Sequence, residues 1–251
     1  MKRLGVVSYI NTLPLTYSLT GYDIVPGSPS ELGDMYAQGL LDAAILPVYE
    51  VFLRSGDYIV DDVSISSPSD AGSVLCFLNK PIEELGLVGV DSSSRTSTQL
   101  LRLLLKEYYG LKCQIETVDP DNLVRNRDRF DAYLLIGDRA IQHRKVESSF
   151  IDPAGVWRHW TGLPFVFALW VSKEKDIILK NHLLDSKRAG LAHIEDIIEG
   201  ISLADRDFLA KYYGVNLSYD LGKAEKESLK LYQQKLYEAG LLPGTDLLSY
   251  Y

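Results

Sequence analysis

Short apolar runs alternating with helical segments restrict this chain more than any other feature. Residues 4–10 (LGVVSYI) read as a buried strand. Asn11-Thr12-Leu13-Pro14 then opens a helix, with Thr12 as its cap and Pro14 in its first turn. Residues 22–25 are a short strand, a second helix runs from Pro29 to near Gly39, and residues 42–46 are a third strand stopped by Pro47. Such a βαβαβ order predicts a parallel sheet with crossover helices. Residues 58–66 and 73–78 are two more strands, separated by the breaker-rich turn 67–72. A second βα series starts at Leu87, with strands over 87–90, 114–118 and 132–136. A helical turn carrying Trp157, His159 and Trp160 follows, then an apolar strand over 165–171. Residues 173–251 are mostly helical, with an amphipathic stretch over 223–239. Two βα series in succession imply two lobes facing across a cleft.

Composition narrows the partners. Of 251 residues, 46% are apolar, enough for a sizeable core and too many for a disordered chain. Net charge is −8 and no polybasic cluster occurs, which argues against nucleic acid and anionic membrane as partners. Met1-Lys2-Arg3-Leu4 looks like the start of a signal peptide, but the apolar run behind it ends at Ile10, before Asn11 and Pro14. A signal peptide and a membrane span are therefore not expected. Cys76 and Cys113 form no CxxC, and the four histidines have no metal-ligand spacing, so reduced thiols and no metal site are expected.

The chemistry concentrates in Asp91-Ser92-Ser93-Ser94-Arg95-Thr96-Ser97-Thr98, a strand-to-helix turn with five hydroxyls between Ser92 and Ser97 and one guanidinium. The first N–H groups of a helix lack partners and carry the positive end of its dipole, so carboxylates and phosphates bind there. An ordinary cap needs one hydroxyl; the surplus predicts an anion site built from Ser93, Ser94, Arg95, Thr96 and Ser97. Arg95 either grips a substrate carboxylate bidentately or braces the turn against an acidic neighbour. Ser8 and Asn11 emerge at the carboxyl end of the first strand, the edge where open α/β sheets bind ligands. Asn11 either caps its turn or faces that ligand. Ser73 opens a strand beside a polar turn. Asp138, after the strand over 132–136, is either a helix cap or a ligand-facing acceptor.

Four stretches together resemble one family: residues 8–14 (SYINTLP), 93–97 (SSRTS), 134–140 (LLIGDRA) and 162–168 (GLPFVFA). They are similar to the MqnA family of chorismate dehydratases in menaquinone biosynthesis. The resemblance covers residues 4–171 and leaves the C-terminal helices without a motif. It implies an α/β, two-lobed, periplasmic-binding-protein-like (type II) fold, with mostly parallel sheets, flanking helices and an interlobe cleft. The lobes are expected at 1–84 plus 167–251 and at 85–166. It implies a cytoplasmic enzyme without cofactor, converting chorismate, a small dicarboxylate, to 3-[(1-carboxyvinyl)oxy]benzoate in the futalosine route. Asn11 is then expected to orient the substrate and Asp138 to compete as a base; Ser8, Ser73 and the 93–97 turn bind. The sister enzyme, 1,4-dihydroxy-6-naphthoate synthase, shares the fold but carries a His-Glu pair where this chain has Ile136-Gly137-Asp138. A non-catalytic solute-binding protein for a small carboxylate is a further alternative. Val48 departs from a serine common in the dehydratase pattern and puts one ligand contact in doubt.

Overall fold

A computed structural model describes residues 1–251. Its first sheet has the order β2 (Asp23–Gly27), β1 (Arg3–Val7), β3 (Ala43–Pro47), β10 (Phe165–Ser172), β4 (Tyr58–Ser67). The second has the order β7 (Gln114–Val118), β6 (Leu87–Asp91), β8 (Ala132–Ile136), β5 (Val74–Leu78), β9 (Phe150–Ile151). β1 runs parallel to β2 and β3, and β6 runs parallel to β7 and β8. β10 is antiparallel to both its neighbours, and so is β5. Each sheet thus holds one reversed strand, and in each case it is the first strand after the chain arrives from the other sheet. The inner strands β3 and β8 are continuous apolar runs, buried along their whole length, whereas the edge strands β2 and β7 mix polar and apolar residues.

Sheet pairing corrects one expectation. A first lobe ending at Glu84 puts β5 with the first sheet, yet β5 pairs with β8 and β9 of the second. The chain changes sheets in the 68–73 connection, not beyond Leu78. It returns through 162–164, close to the expected point, because β10 starts at Phe165.

Local sequence explains the helices. α1 (Leu13–Thr16) follows a 3-10 turn, Ile10–Thr12. α2 (Pro29–Ala37) starts on a capping box: Ser28 accepts from the Glu31 N–H while Glu31 accepts from the Ser28 N–H. α3 (Val48–Phe52) follows Pro47 directly, and α4 (Thr96–Leu103) continues into a π-helical turn, Leu104–Tyr108. α5 (Pro120–Arg125), α6 (Gly137–His143) and α7 (Pro153–Thr161) complete the second series. α8 (Ile177–Ala192), α9 (Ile194–Glu199), α10 (Arg206–Lys211), a π-helical turn over Tyr212–Asn216 and α11 (Lys223–Glu238) form the C-terminal part. On α11 the buried residues Leu229, Tyr232, Gln233 and Leu236 recur at helical spacing and form the inward face. No helix is long and apolar enough to cross a membrane.

One apolar core runs through both sheets, joining Leu4 and Ile65 to Val90 and Leu134. Trp157 of α7 is fully buried, stacks edge-on against Phe165 and Tyr232, and donates its indole N–H to the Ser228 hydroxyl at 3.0 Å. The carboxyl edges of β1 and β3 therefore stand fixed opposite those of β6 and β8.

Candidate active site

The turn after β1 is held from three directions. The Thr12 hydroxyl donates to the carbonyls of Val7 and Tyr9, both at 2.8 Å, so it closes its own turn instead of capping α1. The Ile10 N–H donates to Asp138 Oδ1 at 3.0 Å, reaching across from α6. Tyr219 donates its hydroxyl to the Asn11 carbonyl at 2.9 Å. The Asn11 side-chain oxygen, by contrast, is buried and has no partner.

Facing it is the β6–α4 turn. Asp91 Oδ1 accepts both the N–H (2.8 Å) and the hydroxyl (2.6 Å) of Ser93, and this pins the chain as it leaves β6. The first bond of α4 runs from the Gln99 N–H to the Arg95 carbonyl at 3.2 Å. The N–H groups of residues 95–98 precede it and have no protein acceptor. The Ser94 and Thr98 hydroxyls are buried and unpartnered. Buried polar groups are rarely left so, and their clustering at a helix N-terminus marks a place for an anion. The Thr96 hydroxyl accepts from the Tyr49 N–H at 3.0 Å and ties α4 to α3.

Arg95 is divided between two carboxylates of the first lobe. Its Nη1 donates to Glu50 Oε1 at 2.5 Å and its Nη2 to Asp34 Oδ1 at 2.8 Å. Glu50 is 2% exposed and also accepts from Arg54 at 2.9 Å. The guanidinium lies along the cavity wall, with these two carboxylates as its bonded partners.

Between the two turns lies a cavity enclosing about 630 Å³, open solvent at its mouth included. Val7, Pro29, Pro47, Ile65, Phe167 and Leu217 give it apolar walls; Asn11, Ser73, Ser94, Arg95, Thr96 and Ser97 supply the polar groups. An apolar cleft with a few convergent donors is the usual form of a small-molecule site. Ser73 sits at the crossing between sheets, 3% exposed, accepting from the Tyr212 hydroxyl at 2.9 Å.

Three expected site residues are not on this wall. Ser8, Ser93 and Asp138 line a separate polar hollow together with Ser28, Asp91 and Arg139. Tyr9 borders both spaces. Its ring lies over Gly137, where a Cβ would come within 2.8 Å of the ring carbons and where φ is +61°. Ser93 is set aside because Asp91 takes its hydroxyl; Asp138 because its carboxylate reaches the Ile10 N–H. Burial pushes the Asp138 and Asp91 carboxyls up, against the hydrogen bonds that each accepts. Val48 is fully buried and off the cavity wall, so its departure from serine falls in the core.

Sequence reasoning missed Tyr9, Glu50, Asp34 and the four C-terminal tyrosines that touch the site. Tyr9 stands inside the SYINTLP stretch and was findable there. Glu50 and Asp34 carry no signal, since helix carboxylates are usually solvated.

A profile of the menaquinone biosynthesis family matches residues 2–238. This chain belongs to that family. A chorismate dehydratase from Thermus thermophilus is 27% identical over 259 residues, covering 93% of this chain and 94% of the relative. A chorismate dehydratase from Campylobacter jejuni is 28% identical over 190 residues, covering 71% of each. Among solved structures, a Candida albicans protein with the generic periplasmic binding protein fold superposes with a TM-score of 0.64 at 12% identity, covering 98% of this chain and 92% of that one. That likeness carries the fold: two sheets with flanking helices around a cleft, as the βα series predicted. The family membership makes this menaquinone biosynthesis protein an enzyme.

Proposed function

We propose that this chain is a chorismate dehydratase, a carbon–oxygen lyase of the cytoplasm that converts chorismate to 3-[(1-carboxyvinyl)oxy]benzoate and water in the futalosine route. The observation that carries the reading is the pair of unsatisfied groups across the cavity. The N–H groups of residues 95–97 and the Ser94 hydroxyl, all without protein partners, belong to residues that line the same cavity as Asn11, whose amide oxygen is also unpartnered. The ring carboxylate of chorismate meets the α4 N-terminus. The ring proton beside the enolpyruvyl ether is allylic and conjugated with that carboxylate. As it leaves, its electron pair moves into the ring diene and toward the carboxylate. Donors already in place there stabilise the charge that develops. The neighbouring hydroxyl then departs, takes up a proton as water, and the ring becomes aromatic. Apolar walls keep bulk water from the developing anion.

The proton acceptor in this reading is the substrate's own enolpyruvyl carboxylate. Asn11 orients the conformer in which that carboxylate reaches the ring proton. Support comes from the cavity wall, which holds no histidine, aspartate or glutamate. Asp138, the competing base, lies on the other side of Tyr9 with its carboxylate on the Ile10 N–H.

Purified protein incubated with chorismate should generate a new aromatic absorbance, with the product one water lighter by mass spectrometry. Cyclic dehypoxanthine futalosine should remain unchanged. Intact chorismate alongside tight binding of some unrelated solute would overturn the reading in favour of a binding protein.

A further inference from the structure

The C-terminal part carries no recognisable motif, yet four of its phenols end on the site. Tyr212 donates to the Ser73 hydroxyl at 2.9 Å and Tyr232 to the Thr96 carbonyl at 3.0 Å. Tyr213 donates to the Ile10 carbonyl at 2.7 Å and Tyr219 to the Asn11 carbonyl at 2.9 Å. All four are at most 5% exposed. Two of the bonds thus converge on consecutive peptide groups of the same 3-10 turn. The Ile10 carbonyl also takes the Leu13 N–H, and the Ile10 N–H is on Asp138.

We infer that Tyr213 and Tyr219 are positioning residues for Asn11, acting through its backbone. The inference rests on the reading of Asn11 as the group that orients the substrate. The Asn11 amide oxygen has no protein partner to hold it. Its direction therefore depends on the backbone, which the two phenols hold at the carbonyls of Ile10 and Asn11 alongside the bonds made by Thr12 and Asp138. Fixing the peptide planes on either side of Asn11 fixes its Cα–Cβ direction. Displacements near 1 Å at such a group cost about a hundredfold in rate. Burial pushes both phenols far above their ordinary range. They stay protonated, and so remain donors, wherever the protein is folded.

The test is a double-mutant cycle on kcat with chorismate. Tyr219→Phe removes only the hydroxyl and should lower kcat about tenfold while KM stays within about twofold. The deficit should be constant between about pH 6 and pH 9, since the buried phenol that is removed stays protonated across that range. In the Asn11→Ala background, adding Tyr219→Phe should change the residual turnover by less than about twofold, because the group being positioned is gone. Tyr213→Phe should behave alike, and it carries the test should Tyr219→Phe melt far below the parent protein. Phenylalanine variants with parental kcat would overturn the inference. So would the same tenfold loss in the Asn11→Ala background, which would place the hydroxyls' effect elsewhere. Asn11→Ala with undiminished turnover would instead remove the role of Asn11 itself, a distinct failure that takes the positioning role with it.

Discussion

Two strand-to-helix turns of the second sheet face the same first-lobe turn, and they use it differently. The β6–α4 turn leaves four backbone N–H groups and two hydroxyls without protein partners, and its residues Ser94 to Ser97 line the cavity. The β8–α6 turn spends its carboxylate on the Ile10 N–H and lays Gly137 under Tyr9. Both turns follow an apolar strand and both start a helix. What separates them is the balance of donors and acceptors. The first has donors in surplus and waits for an anion. The second presents an acceptor, which the other lobe satisfies.

That contrast can be broken by giving the first turn an anion of its own. Ser94→Asp places a carboxylate among the free N–H groups, and KM for chorismate should rise about a hundredfold or more. Steady-state kinetics would check it, and an unchanged KM would mean that the open donors do not bind substrate. Gly137→Ala attacks the second turn. A methyl there meets the Tyr9 ring at 2.8 Å on a backbone at φ +61°. We expect a stability loss of about 1–3 kcal/mol in denaturant unfolding and turnover down about thirtyfold. Arg95→Ala unties the first turn from Glu50 and Asp34, and kcat/KM should fall about tenfold. A bound-substrate structure with the guanidinium on a carboxylate of chorismate would show that bracing is not its sole role. Asp138→Asn keeps an oxygen for the Ile10 N–H, so turnover at saturating chorismate should stay within about threefold. A loss of several orders of magnitude with binding intact would make Asp138 the general base and erase the distinction between the two turns.

How much of this was legible depended on the range of the interaction involved. The strands read well because short runs rich in valine, leucine and isoleucine lie between Gly, Pro and Asp. The surplus of hydroxyls in the 92–97 turn is local and so visible in the sequence. The sheet to which β5 belongs did not read, since its pairing with β8 is fixed by residues more than fifty positions away. Thr12 fits a cap by residue type, yet the carbonyls of Val7 and Tyr9 claim its hydroxyl first. The partners of Asp138 and of the tyrosines escaped because a carboxylate or a phenol gives no hint of a backbone group 128 or 208 residues distant.

The strand order also sets a schedule for making the molecule. β4 is bonded along one side to β10 and is separated by it from β3. A ribosome must therefore add the hundred or so residues between Ser67 and Ser172 before β4 finds its place. All five strands of the second sheet emerge within that interval, the last ending at Ile151. The strands of the second sheet can thus all be in place while the first sheet is still three strands and an unattached ribbon. β10 docks one edge of β4 against the sheet, and the other edge stays unpaired until residues 218–219 and 249–251 are made, so Tyr58–Ser67 is open to a wrong partner until the very end of synthesis.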